Sequence, residues 1–257
     1  MANRFRNPGE FCWINMLTPD PAASMTFFGA LLGWTFGEIP GMGHSIHVDG
    51  RRVGGLFDLN GPQTPPGLPP AIGVMVKVAS ADDIARRAME LGGRARAAFD
   101  IGDQGRMAEC FDPCDAQFDL WEPKKSEGSD ADPSVHGAPS WFEVYTTDAA
   151  KCSTFYQSLL GWTAVDAPMG DFTYTVFSLG GTQVAGMMPI LPRMGKMPAH
   201  WAVYFTVTDV DASVARAKEL GGRALMEPQD IPNIGRFAGV ASPQGVMFWL
   251  ITYTRRS

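Results

Sequence analysis

The stretch WINMLTPDPAASMTFFGALLGW, residues 13–34, returns as WFEVYTTDAAKCSTFYQSLLGW, residues 141–162. Trp13, Phe27, Leu31, Leu32, Gly33 and Trp34 recur as Trp141, Phe155, Leu159, Leu160, Gly161 and Trp162 at a constant offset of 128 residues. Self-similarity at that period marks a tandem duplication. In the first copy Cys12, Ile14 and Met16 alternate with Trp13, Asn15 and Leu17, the periodicity of a strand with two differently loaded faces. Asp20 and Pro21 then supply an N-cap and an N1 proline for a helix through Leu32, stopped by Gly33 at the usual C′ position.

Outward from this stretch, segments 34–38, 45–48 and 53–59 read as short strands between Gly, Pro and Asp turns, completing a β-α-β-β-β unit. Segment 60–71 carries five prolines and reads as a stiff connector without helix or sheet. A second unit follows: a strand over 72–78, a helix opened by Ser80 with Asp83 as a capping-box acid and stopped by Leu91-Gly92-Gly93, then strands over 94–98, 106–111 and 117–121. Segment 123–139 is polar and rich in turn-formers, and it falls where the repeat begins again, so it reads as a domain linker. Beyond it, strand 141–145, helix 148–160 and strands 173–179 and 183–188 lead to a Pro- and Met-rich connector over 189–199. Strand 201–207, helix 210–220 and strands 236–240 and 246–251 complete the pattern. The expected fold is α+β: four β-α-β-β-β units in two tandem domains, 1–122 and 140–257, with curved mixed sheets.

Composition narrows the function. At 257 residues, 45% hydrophobic and 19% charged, the chain suits two ordinary globular domains. A formal charge of −6 with no Lys/Arg run argues against nucleic acid as a partner. No apolar run approaches the ~18 residues of a membrane span, and the start lacks a signal peptide's apolar core, so the expected location is cytoplasmic. Cys12, Cys110, Cys114 and Cys152 lack zinc-ribbon spacing and read as reduced thiols behaving as small hydrophobes; Cys110 and Cys114 flank an Asp-Pro turn.

The repeated helix ending (Phe27-Phe28 or Phe155-Tyr156 leading to Leu-Leu-Gly-Trp), segment 207–222 ending Leu-Gly-Gly, and Ser242-Pro243-Gln244-Gly245 with Phe248 together resemble the vicinal oxygen chelate superfamily of glyoxalases, bleomycin-resistance proteins and extradiol dioxygenases. The resemblance covers nearly the whole chain outside the linker, and is nearest to tandem two-domain bacterial proteins labelled glyoxalase-like or hydroxylase-like. It implies metal ligands on the first and last strands of each unit. Carried over, those positions fall on Trp13, the Gly54-Gly55 neighbourhood, Gly73 and Asp119, and in the second half on Trp141, the Ala185-Gly186 neighbourhood, Ala202 and Trp249. Asp119 alone among them offers a ligand atom suited to a metal, so neither a metal nor another cofactor is expected.

Strand parity points the same residues at a pocket. Val74, Val76 and Val78, like Val203, Phe205 and Val207, form the apolar face that meets the helices. The opposite face then carries Asn15, Met75, Lys77, Gln117, Asp119 and Trp121 in the first half, and Glu143, Tyr145, His200, Tyr204 and Trp249 in the second. A sheet presenting Trp, Tyr, Met and a few polar groups suits a ligand better than water. Trp13, Trp141 and Trp249 are stacking surfaces or space-fillers. Glu143, between Trp141 and Tyr145, is a costly carboxylate unless it binds a ligand, acts as a base or is solvated or salt-bridged. Asp119 poses the same question with Lys77 as a candidate partner, and His200 at a strand start is a donor or base at the rim or an ordinary loop histidine. His44 and His47 fall on opposite faces of one strand. Arg106 and Arg236 recur at matching positions, as structural arginines would.

The leading expectation is a metal-independent binder of a small aromatic or amphipathic molecule, acting by sequestration or through pocket side chains, with Glu143 and His200 as catalytic candidates. Trp13, Asn15, Met75, Asp119, Trp121, Trp141, Tyr145, Tyr204 and Trp249 are the ligand-contacting set. A metal-dependent lyase or dioxygenase and a purely structural or interaction protein are the alternatives. The chain is expected to be a monomer whose halves imitate a dimer.

Overall fold

The computed structural model describes residues 7–62, 64–65 and 67–254. The first half forms β1 (Phe11–Thr18), α1 (Pro21–Leu32), β2 (Thr35–Ile39), β3 (Gly43–Val48), β4 (Arg51–Asp58), β5 (Ala71–Lys77), α2 (Ala81–Glu90), β6 (Arg94–Ala95), β7 (Phe99–Ile101), β8 (Gly105–Phe111) and β9 (Gln117–Pro123). The second half forms β10 (Pro139–Thr146), α3 (Ala149–Leu160), β11 (Thr163–Met169), β12 (Phe172–Leu179), β13 (Thr182–Pro189), a single 3-10 turn (Pro192–Met194) in the Pro/Met connector, β14 (His200–Thr206), α4 (Val210–Glu219), β15 (Arg223–Ile231), β16 (Gly235–Ala241) and β17 (Met247–Tyr253). The α+β arrangement of four β-α-β-β-β units is therefore present.

The strands form two mixed sheets, ordered β2-β3-β4-β1-β5-β9-β8-β6 with β7 on β8, and β11-β12-β13-β10-β14-β17-β16-β15. Within each unit the first strand pairs in parallel with the last, as in β1 with β4, β5 with β9, β10 with β13 and β14 with β17. The hairpins between them are antiparallel. Helix starts follow the sequence: Asp20, Ser80, Asp148 and Asp209 each accept from the amide three residues on. Asp83 N–H donates to Ser80 Oγ at 3.2 Å, as a capping box requires, and the Asp83 carboxylate also accepts from Arg86 at 2.8 Å. Gly33 and Gly161 close α1 and α3 at φ 67° and 70°, a conformation that side-chain-bearing residues rarely adopt.

The chain divides into two compact units, each drawing on both halves. Of the described residues, one holds those up to Trp13, Gly73–Gly128 and Trp141–Ala202; the other holds those of Ile14–Ile72, Ser129–Ser140 and those from Val203. In the first, Phe118 of β9 meets Phe155 and Tyr156 of α3 at 6.1 and 5.7 Å between centroids. In the second, Phe248 of β17 meets Phe27 and Phe28 of α1 at 6.4 and 5.1 Å. The tryptophan of the repeated motif is the centre of each core. Trp162 stacks on Tyr156 and gives its indole N–H to Gly9 O at 2.8 Å. Trp34 stacks on Phe28 and gives its own to Gly137 O at 2.8 Å. Burial of these rings supplies the main stabilisation, with each ring pair adding about 0.5–1.5 kcal/mol beyond its area.

Segment 123–139, read as a linker, is pinned by side chains. In the first unit Ser126 O accepts from Trp121 Nε1 at 2.8 Å and Glu127 pairs with Lys77 at 2.6 Å. In the second, Thr206 Oγ1 donates to Pro133 O at 2.7 Å, and Ala131 and Ala138 are buried. The described residues of the proline-rich stretch before β5 form turns and bends without helix or strand, as the composition predicts.

Candidate functional site

Trp141, Glu143 and Tyr145 alternate along β10 and so share a face. The parallel register sets Glu143 beside Gly186 of β13. The space above Gly186 is taken by the phenol of Tyr174 from β12: a Cβ there would lie 1.8 Å from the hydroxyl oxygen. That hydroxyl donates to Glu143 Oε2 at 2.6 Å and accepts from Trp141 Nε1 at 3.0 Å. Glu143 is 4% exposed, so the solvated-strand reading is corrected: it is a buried carboxylate held by a phenol. Such charge-assisted bonds are the strong class, about 1.5–3 kcal/mol each. Burial, then the Glu143 charge, pushes the Tyr174 phenol far above its ordinary value, which keeps the proton on the tyrosine as donor.

His200, at the start of β14, stacks flat on Tyr145 with centroids 4.9 Å apart and planes 3° from parallel. Its Nδ1 lies 2.9 Å from Pro198 O. A carbonyl only accepts, so Nδ1 carries the hydrogen and Nε2 the lone pair. Burial lowers the His200 pKa below its ordinary 6.5. Between the lowered folded value and 6.5 the unfolded chain binds more protons than the native one, so this residue's contribution makes stability fall as pH drops through that window and leaves it level above. Thermal melts from pH 8 to 5 are expected to show a decline below about pH 6.5 that is shallower in His200→Asn; an unchanged slope in that variant contradicts the assignment.

The remaining candidates fall into separate groups. Trp13, Met75 and Trp121 are buried together with Cys12, against Ile101 and Met107. This group is packed as a core, with Trp121 Nε1 committed to Ser126 O. Asp119 is buried and accepts from Gln117 Nε2 at 3.3 Å, and its neighbour in the register is Met75, two residues along β5 from Gly73. Lys77, considered as a partner for Asp119, is held by Glu127. Asn15 lies beside Gly55, where a Cβ would meet the Phe57 ring at 2.5 Å. In the other unit Tyr204 stacks on Trp249 at 5.5 Å, with Phe237 5.9 Å from the Trp249 ring. His44 and His47 stay on opposite faces, because the β2–β3 pairing runs without a break past both. Arg106 binds Asp82 and Asp100, and Arg236 binds Asp211 and Asp230, matching clamps that fasten a helix to an outer strand as structural arginines do.

The residues at the ligand positions implied by the fold do not fit a divalent metal. The positions carried over, Trp13, Gly73, Trp141 and Ala202 on first strands and Gly54-Gly55, Asp119, Ala185-Gly186 and Trp249 on last strands, hold one carboxylate, and the register rows beside them pair Asn15 with Gly55, Met75 with Asp119, Glu143 with Gly186 and Tyr204 with Trp249. A catalytic centre keeps three or so His, Cys or carboxylate ligands. Each row offers at most one strong donor, and Glu143 is engaged by Tyr174.

Two groups escaped the sequence reading. Tyr174 was hidden because a polar strand residue carries no sign of its reach; the one signal was Gly186, whose missing side chain opposite Glu143 leaves room for it. The second group joins the turn after β8 to α3. Asp112 Oδ1 accepts from the amides of Cys114 and Ala116 at 2.8 and 3.0 Å, and Oδ2 from Tyr156 Oη at 2.9 Å and Cys152 Sγ at 3.4 Å. Thr146 Oγ1 donates to Cys152 Sγ at 3.0 Å and Trp201 Nε1 to Tyr156 Oη at 3.0 Å. Cys152 is thus part of a polar network, not the inert hydrophobe expected. Burial, then the Asp112 charge, pushes its thiol far up, and burial lifts Cys110 to about 12. A shallow recess lined by Asp230, Arg236 and Tyr253 also opens on the second unit, but its arginine is already paired with Asp230 and Asp211.

Four β-α-β-β-β units in two curled mixed sheets, with polar and aromatic groups on the face away from the helices, define the vicinal oxygen chelate class. A family model described as the Glyoxalase/Bleomycin resistance protein/Dioxygenase superfamily matches residues 138–250. CFP32 of Mycobacterium tuberculosis (strain CDC 1551 / Oshkosh), whose name places it provisionally among the glyoxylases, is 33% identical over 92% of each chain. The anthracycline biosynthesis protein DnrV of Streptomyces peucetius is 33% identical over 95% of this chain and 93% of its own. The chain belongs to the Glyoxalase/Bleomycin resistance protein/Dioxygenase superfamily. The Mn(II)-bound glyoxalase of Novosphingobium aromaticivorans shares the fold at TM-score 0.68 and 16% identity, over 95% of this chain and 82% of that one. Among the described residues no helix is long and apolar enough to cross a membrane.

Proposed function

We propose that this protein binds a small aromatic or amphipathic molecule without a metal, on the surface formed by Trp141, Glu143, Tyr145, Tyr174 and His200. The observation that carries the reading is the buried Glu143 carboxylate, held by the Tyr174 hydroxyl, which in turn accepts from Trp141, within an aromatic wall. In that low-dielectric setting a carboxylate attracts a hydroxyl or cationic group strongly, while the rings supply stacking area. His200 Nε2 adds an acceptor, and with Glu143 it is the group suited to take a proton from a bound molecule. The name of DnrV, an anthracycline biosynthesis protein, supports an aromatic ligand. The protein acts as a monomer, its two halves standing in for two subunits.

A thermal-shift panel of hydroxylated polycyclic aromatics, aldehydes and cationic amphiphiles, run with and without EDTA, tests this reading. At a hundredfold excess over Kd a ligand stabilises by about 2.7 kcal/mol, so at least one class is expected to raise Tm by several degrees, with or without chelator. No shift across the panel, or a shift that EDTA removes, overturns it.

A further inference from the structure

The turn after β8 and the first turns of α3 bring Asp112, Cys114 and Cys152 together, with one carboxylate oxygen and two sulfurs all within 4.8 Å of one another. We propose that these three side chains form a binding site for a thiophilic divalent cation of the zinc class, separate from the Glu143 surface.

The duplication supplies an internal control. In the other unit Ser242 occupies the place of Asp112, and its Oγ accepts from the amides of Gln244 and Val246 at 3.2 and 3.3 Å, just as Asp112 Oδ1 accepts from Cys114 and Ala116 at 2.8 and 3.0 Å. Thr18 bonds Ser24 at 2.6 Å where Thr146 bonds Cys152 at 3.0 Å. Phe28 stands where Tyr156 does. The same turn and helix contact are thus built with one oxygen acceptor and a hydroxyl pair. The second carboxylate oxygen, which also accepts from Tyr156 Oη at 2.9 Å, and the two thiols have no counterpart at the matching places of the other unit, and all three converge.

The chemistry of the cluster selects its occupant. A carboxylate beside two sulfurs disfavours a second anion and attracts a cation, and two thiolates favour zinc-like ions over magnesium or calcium. Zn–S bonds near 2.3 Å and Zn–O bonds near 2.0 Å put tetrahedral ligands roughly 3.5–3.8 Å apart, so closing the cluster takes shifts of about an ångström. The ion would replace the hydrogen between Cys152 Sγ and Asp112 Oδ2, which are 3.4 Å apart. Two thiol protons leave to solvent, two metal–sulfur bonds form and no electron is transferred. Cys114 is half-buried, giving the ion a path in and leaving a fourth position for water.

Full-length protein, stripped with chelator, reduced with a phosphine and titrated with Co²⁺, tests the site. The expected result is a thiolate-to-cobalt charge-transfer band with tetrahedral d–d absorption, displaced by Zn²⁺. Cys114→Ser and Cys152→Ser are each expected to weaken Co²⁺ binding at least about a hundredfold, and Cys110→Ala to keep it. Thermal melts establish that each variant is folded, and Cys114→Ser, at the half-buried position, keeps the test decisive if Cys152→Ser is unstable. Absence of the band at millimolar Co²⁺, or its persistence in Cys114→Ser, overturns the proposal. Neither outcome bears on the Glu143 surface, whose readout is the ligand-induced shift in EDTA.

Discussion

Replacing Gly186 by alanine is expected to abolish ligand binding and to lower stability by about 1–3 kcal/mol, the usual cost of overpacking a filled site. The added Cβ would lie 1.8 Å from Tyr174 Oη, 2.5 Å from Cζ and 3.0 Å from Trp141 Nε1. Oη and Cζ are the far end of a rigid ring, so Tyr174 must leave as a unit. Its departure removes the donor 2.6 Å from Glu143 and the acceptor 3.0 Å from Trp141. A buried carboxylate that loses a donor is costlier than a neutral group in the same position. Urea melts combined with ligand titration check both parts; wild-type affinity in Gly186→Ala would show that the Tyr174 position is irrelevant.

The largest loss of stability is expected from Trp162→Ala, about 3–5 kcal/mol. Its ring lies within 6.5 Å, centroid to centroid, of Phe11, Tyr156, Phe177 and Trp201, and its N–H satisfies Gly9 O. Trp162→Phe keeps much of the ring area but leaves that carbonyl without its donor, so a loss of about 1–3 kcal/mol is expected. Chemical denaturation read by circular dichroism separates the two variants. Equal losses would mean that the hydrogen bond contributes nothing beyond the ring.

The strength of the repeated motif explains why the architecture was legible. An Asp cap, an αL glycine and a tryptophan that is buried with its N–H satisfied are local requirements, and local requirements leave residues that can be read. The strands β7, β11 and β15 were not legible. β11 and β15 are outer strands, largely exposed, and they carry Pro168 and Pro228, which edges tolerate and central strands do not. Their composition therefore resembles loop. The exchange of units between halves also left no local trace, since Phe118 packing on Phe155 and Phe248 packing on Phe27 are long-range choices among equally apolar faces.

For the site, period-two parity brought Trp141, Glu143 and Tyr145 onto one face and singled out Glu143 as the costly residue. It could not see Tyr174 reaching over from β12, because the length of a side chain and the vacancy at Gly186 act together only in three dimensions. In the same way parity grouped Trp13, Met75 and Trp121 correctly, yet whether three apolar residues on a sheet receive a ligand or one another depends on packing; Ile101 and Met107 close over them. Asp112 and the two cysteines were invisible as a group, since Cys152 lies 38 residues beyond Cys114 in the sequence.

Isothermal titration in EDTA of the best ligand from the panel, against wild type, Glu143→Gln and Asp119→Asn, tests the central claim most directly. Glu143→Gln keeps shape while removing the charge, so the loss of a charge-assisted bond predicts an affinity about 10- to 150-fold weaker, with Asp119→Asn within a few-fold of wild type. The reverse order, with Asp119→Asn the damaging change and Glu143→Gln silent, would contradict the account and move the site to the first half.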